Sequence, residues 1–188
     1  MYKYKGKFCL IEELTTLNDD RLYTLMYENR DEYEKLIFRE PIPCTYLEFR
    51  KKIDEWFSHG RNYQFLVYDK SGQRVVGTMF FYNINKVPNT VKCSCFFTPE
   101  VRNKILTIES LVTMLDFTRN VLKVNGINFL VYRENMLMHK IANKSGATRL
   151  VTGQENINTS SLDISYEFSS KTLDLLLEKY GSRFTKLH

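Results

Sequence analysis

Two β-rich runs, Gln64–Tyr68 and Arg74–Tyr82, flank the turn sequence Asp69-Lys70-Ser71-Gly72. Residues of this kind reverse a chain locally, so the two runs are expected to fold back on each other as a hairpin. A hairpin commits the chain to a sheet, and whatever follows must extend that sheet or cover it. Val91–Phe97 reads as a further strand. Beyond it Ile108, Leu111, Val112 and Leu115 recur at helical spacing, Asn125-Gly126 closes that helix, and Ile127–Tyr132 is apolar and strand-like again.

The flanking segments supply the other layers. Lys7–Leu14 alternates as a strand, and Asn18-Asp19-Asp20 stands before Leu22, Leu25 and Met26 as a capped helix start. After Pro41 and Pro43, Thr45 and Glu48 have capping-box spacing. They are followed by Tyr46, Phe49, Ile53, Trp56 and Phe57 on one helical face, with Gly60 expected to end that helix. Asn135 can cap a helix over Met136–Asn143 that Gly146 ends in a left-handed turn. Leu162–Phe168 reads as a last strand, and Ser170 as the cap of a final helix carrying Leu173, Leu176, Leu177 and Tyr180. The resulting expectation is an α/β fold with a mixed, mostly antiparallel sheet and helices on both faces.

Composition is consistent with one compact unit spanning 1–188. The chain has 188 residues with 43% apolar and 14% aromatic side chains, only 8 Gly and 4 Pro, and no repeat or linker-like tract. Neither a signal peptide nor a membrane-length apolar run is recognisable, so a cytoplasmic protein without a membrane partner is expected. Four cysteines lack metal-ligand spacing and the three histidines are scattered, so no metal is expected and the thiols read as small buried hydrophobes. A net charge of +5 is spread among 22 acidic residues without a basic run, which gives no footprint for nucleic acid.

The stretches "FFTPEVRNKILTIESLVTML" and "INFLVYRENMLMHKIANKSGA" carry a more specific signal. The first resembles the strand, proline and acyl-coenzyme A loop of the GCN5-related N-acyltransferases; the second resembles their next strand and helix, with Asn135, Lys144 and Gly146 in register. Gly77 falls on the strand where relatives often carry a glycine. The resemblance runs from about Phe8 to Phe168, is firmest between Phe65 and Ala147, and points to the ribosomal-protein alanine acetyltransferases and relatives acting on small amines and sugars. It implies a splayed central strand pair, acetyl-coenzyme A (or another acyl-coenzyme A) as cosubstrate, and direct transfer to an amine. The cofactor-binding positions it implies are Cys95, Phe96 and Phe97 on the strand, Arg102, Asn103, Lys104, Ile105, Leu106 and Thr107 on the loop, and Asn135.

The chain departs from the family pattern in two places. Relatives usually carry Arg-x-x-Gly-x-Gly/Ala after this strand, whereas Arg102-Asn103-Lys104-Ile105-Leu106-Thr107 fills both glycine positions with larger residues. Arg102 and Lys104 are then the charges expected to meet phosphate. Many relatives also place a tyrosine acid seven residues after the asparagine, where this chain has Ala142; His139, one helical turn after Asn135, is the substitute, with Tyr132 and Glu134 as further catalytic candidates. No acid lies in Lys92–Phe97 to act as base, which leaves a water relay or the substrate itself. The expected function is N-acyl transfer to a primary amine of a small molecule or amino sugar by a monomer or homodimer. The alternatives are a protein N-terminal acetyltransferase and a binding or scaffold module of the same fold that has lost catalysis.

Overall fold

The computed structural model describes residues 1–36, 41–58, 62–85, 89–131, 135–150 and 164–181. Among these residues eight strands form one sheet: β1 (Lys3–Lys5), β2 (Leu10–Glu13), β3 (Tyr63–Tyr68), β4 (Val75–Asn85), β5 (Thr90–Phe97), β6 (Gly126–Val131), β7 (Thr148–Leu150) and β8 (Ile164–Ser169). Their spatial order is β1-β2-β3-β4-β5-β6-β8-β7, and among the described pairs β5 with β6 alone is parallel. Among the described residues six α-helices cover it: α1 (Asp19–Glu28), α2 (Arg30–Leu36), α3 (Tyr46–Ser58), α4 (Ile105–Asp116), α5 (Met136–Lys144) and α6 (Ser170–Tyr180).

The strand pleat sorts the core into two layers. Phe65, Met79, Phe81, Val91, Cys93, Phe97 and Ile127 face α4 and α6, packing with Met114, Leu115 and Leu173. Their sequence neighbours Leu66, Phe80 and Phe96 face the other way, against Leu22, Leu25, Met26 and Tyr33 of α1 and α2 and Phe49 of α3. Phe117, where α4 passes into a wider turn over Phe117–Val121, is the hub of the first layer. Its ring lies 4.9 Å from that of Phe65 and 5.2 Å from that of Phe81.

Several local expectations meet their physical causes here. Thr45 and Glu48 close the capping box in both directions, each backbone N–H donating to the other side chain at 3.3 Å. Asn135 caps α5 by accepting from the Met138 N–H at 3.2 Å, and Gly146 sits at φ +77°. Asn18, by contrast, turns its side-chain oxygen backwards to the Thr15 N–H at 2.7 Å and caps nothing in α1. The cap of α6 is Ser169, one residue before the expected Ser170. The expected strand over Lys7–Leu14 is Leu10–Glu13 here, because Gly6–Cys9 is a tight turn closed by the Gly6 N–H and the Cys9 carbonyl. Glu109 on α4 anchors that turn: its buried carboxylate accepts the Lys7 and Phe8 N–H groups at 2.7 and 2.8 Å. Gly60, expected to end α3, lies outside the described residues.

Candidate active site

The sheet opens in its middle. Pairing between β5 and β6 runs from Thr90↔Gly126 to Cys93↔Phe129 and stops, although both strands continue. Beyond that point each strand follows its other neighbour: Ser94–Phe97 stay paired to Phe80–Gly77 of β4, while Leu130 and Val131 stay paired to Ser165 and Ile164 of β8. The result is the splayed central pair the sequence resemblance implied.

Strand alternation fixes what faces the opening. The Thr98 N–H donates to the Val76 carbonyl at 2.9 Å, so this amide points to β4. Phe97 and Cys95, one and three residues earlier, therefore turn their backbone N–H and C=O groups away from β4 and toward the splay. Donors aimed from a rigid strand into a gap can polarise a carbonyl, and the same edge can pair with an extended ligand as a strand would. Gly77 lets Phe97 settle there, since a Cβ at that position would stand 2.6 Å from Cδ1 of the Phe97 ring and 2.7 Å from the Phe96 carbonyl oxygen.

The segment after β5 leads through a short 3-10 turn, Pro99–Val101, into α4. Lys104 stands at the helix start with extended backbone (φ −98°, ψ 158°) and offers no side-chain cap; the Thr107 N–H donates to the Lys104 carbonyl at 3.0 Å, and the Ile105 and Leu106 amides are left to other acceptors. Among the described residues the non-glycine positions with positive φ are Asn83 and Lys123 alone. The loop from Arg102 to Thr107 thus contains no left-handed residue, which removes one physical reason for glycine there. Asn103, Lys104 and Ile105 are exposed, while Leu106 and Thr107 are buried, the Thr107 hydroxyl donating to the Val101 carbonyl.

Arg102 behaves differently from Lys104. Its Nε–H donates to the Phe97 carbonyl at 2.8 Å, its Nη2 pairs with the Glu32 carboxylate on α2, and its guanidinium lies 5.7 Å over the Phe96 ring. Lys104 is the loop cation whose side chain stays at the surface.

On α5, half-buried Asn135 starts the helix and buried His139 follows one turn later, its Nδ1 3.0 Å from the Tyr166 hydroxyl. Tyr166 stacks on Phe129, with ring centroids 5.6 Å apart, so β8 connects His139 to the strand that splays. Ala142 is fully buried beside Val131 and Tyr166. Tyr132 and Glu134 lie outside the described residues. Sequence reasoning missed both Tyr166 and Glu32; the inward pairing of Tyr166 and Phe168 on β8 was the available signal for the first.

The two thiols on β5 are poor nucleophiles. Burial pushes the Cys95 thiol up to about 11, and burial, then the neighbouring Cys95, raises Cys93 further. Among the described residues no group of His, Cys, Asp and Glu is arranged to hold a metal, and no helix is long and apolar enough to cross a membrane.

A family model described as an acetyltransferase (GNAT) domain matches residues 10–148. A GCN5-related N-acetyltransferase from Brucella melitensis superposes with a TM-score of 0.77 at 17% identity, over 96% of this chain and 84% of that one. A nucleotide-linked sugar GNAT, solved in its apo form, gives a TM-score of 0.76 at 16% identity, over 98% and 99%. The ribosomal-protein-S5-alanine acetyltransferase of Vibrio fischeri gives 0.71 at 13% identity, over 90% and 97%. At these identities the structural likeness establishes the fold. No curated protein sequence matches the chain.

Proposed function

This chain belongs to the acetyltransferase (GNAT) family, and on that premise we propose that it is an N-acyltransferase moving an acetyl group from acetyl-coenzyme A to a primary amine of a small molecule or amino sugar. The observation that carries the proposal is the opening between β5 and β6 with the N–H groups of Cys95 and Phe97 turned into it. The acyl-coenzyme A supplies the activated thioester; the chain's residues position and polarise it.

In this reading the β5 edge binds the cofactor arm as a strand partner, and the Phe97 N–H donates to the thioester oxygen. When the amine nitrogen bonds to the carbonyl carbon, charge accumulates on that oxygen, and the preorganised donor stabilises it. The carbon–sulfur bond then breaks, the acyl group leaves on nitrogen, and the thiolate takes up a proton. His139 with Tyr166 behind it is the proposed proton source, with Tyr132 and Glu134 as further candidates. The ammonium proton leaves through water or through the acceptor's own base. The uncapped start of α4, with Lys104 beside it, is the proposed pyrophosphate site, where helix amides and dipole favour an anion. Asn135 is proposed to face the cofactor arm. Residues 1–188 act as one domain in this account.

The similarity of a nucleotide-linked sugar GNAT over almost the full length of both chains supports an amino-sugar acceptor. The S5-alanine acetyltransferase supports a second reading with a protein N-terminus as acceptor. Acetyl-coenzyme A at 100 times its Kd should stabilise the fold by about 2.7 kcal/mol, a rise in Tm of roughly 5–10 °C. Screening amino sugars, polyamines and N-terminal peptides for release of free thiol then identifies the acceptor class. Absence of both stabilisation and turnover would leave a scaffold module and overturn the enzyme reading.

A further inference from the structure

We propose that Arg102 is a positioning residue of the acyl-transfer site, and that Glu32 on α2 sets its position, so that α2 and the oxyanion-facing strand end are mechanically linked. The inference rests on the acyltransferase reading and assigns Arg102 a role other than meeting phosphate. Splaying leaves the Phe97 carbonyl without a strand partner on β6, and a buried strand end cannot leave such a group unpaired without cost. Arg102 supplies the missing donor: its Nε–H reaches that carbonyl at 2.8 Å.

The Phe97–Thr98 peptide is thereby fixed from both sides, by Arg102 on the carbonyl and by Val76 on the Thr98 N–H at 2.9 Å. Fixing that plane fixes the residue whose own N–H faces the gap. The guanidinium is held in turn by three things: the carbonyl, the Phe96 ring beneath it, and the Glu32 carboxylate. Phe96 also packs on Tyr33, the residue after Glu32, with ring centroids 4.9 Å apart. Two neighbouring residues of α2 therefore grip both the arginine and the strand end. A planar fork that donates in fixed directions suits this task, and lysine lacks that geometry.

The discriminating variant is Glu32→Gln, which preserves shape while removing the charge that orients Arg102, with Arg102→Ala and the double variant completing a cycle. For a positioning role, Glu32→Gln lowers kcat about 3–10-fold while the Kd for coenzyme A, measured by titration calorimetry, stays within about 3-fold. The double variant should lose no more kcat than Arg102→Ala alone, because Glu32 acts only through Arg102. Normal kcat in Glu32→Gln combined with a coenzyme A Kd at least about 10-fold weaker in Arg102→Ala would make Arg102 a phosphate contact and overturn the proposal. Additive losses in the cycle, or equal losses of Tm and kcat in every variant, would reduce the pair to ordinary stability and overturn it too. A wild type that binds no coenzyme A refutes the acyltransferase reading and the inference together; a wild type that binds and turns over with an unaffected Glu32→Gln refutes the inference alone.

Discussion

Replacing Gly77 by alanine is the smallest change that should disturb the proposed oxyanion contact without touching it. In open space alanine in place of a strand glycine would stabilise by roughly 0.5–1 kcal/mol, because the unfolded chain loses freedom. Here the added methyl would stand 2.6 Å from Cδ1 of Phe97 and 2.7 Å from the Phe96 carbonyl oxygen. The ring can tilt, but the carbonyl belongs to a strand held in register from Gly77↔Phe97 to Tyr82↔Lys92, and it yields only if β5 moves. Overpacking of this kind costs about 1–3 kcal/mol, so Gly77→Ala should lower Tm by roughly 2–10 °C in a domain of this size. The displaced strand end carries Phe97, so thiol release from acetyl-coenzyme A should fall by about 10-fold or more, equivalent to about 1.4 kcal/mol of transition-state stabilisation. Gly181→Ala serves as the control, since its nearest heavy atom would be 3.8 Å away. Thermal denaturation and steady-state kinetics on both variants test the argument. A Gly77→Ala protein as stable and as active as wild type would show that β5 is not held where the account requires.

Three further outcomes are expected. Glu109→Gln keeps the shape of the side chain but turns an NH2 group toward one of the two backbone donors it now receives at 2.7 and 2.8 Å; a loss of about 2–4 kcal/mol should appear as a lower midpoint in urea. Alkylation of the native protein at pH 8 should label exposed Cys44 ahead of the other thiols, with Cys95 reacting only as pH rises toward its value of about 11, because its protonated form dominates below that; Ala or Ser at Cys93 and Cys95 should leave turnover within a few-fold. Ile105→Gly should preserve or tighten coenzyme A binding in calorimetry, because the side chain is 51% exposed at the start of α4, while weakening the helix by about 1 kcal/mol.

Much of the sheet was legible because local chemistry dictates it. The Asp69–Gly72 turn, the Thr45–Glu48 box and the Asn135 cap each act within a few residues, and each is where the sequence put it. Asn18 shows the limit of that logic, since an asparagine side chain can satisfy either side of a helix start and here takes the earlier one. Strands β1 and β7, three residues each, are too short to show a period. Glu109 sits in an apolar helical stripe and reads as a surface charge, because what buries it is a turn about 100 residues earlier in the chain. The Arg102–Glu32 contact spans 70 residues and joins a helix the sequence pattern did not announce. Splaying itself came from family resemblance: nothing local to Val91–Phe97 says that pairing ends at Cys93, which depends on β4 and β8 each holding one strand.

Amide hydrogen exchange with and without saturating acetyl-coenzyme A reports where the cofactor binds as well as whether it does. Bound cofactor should slow exchange at Ser94–Phe97 and at Ile105–Thr107, with β1, β2 and α6 unchanged. Unaltered exchange in both segments, or protection confined to other parts of the chain, would contradict that placement of the cofactor.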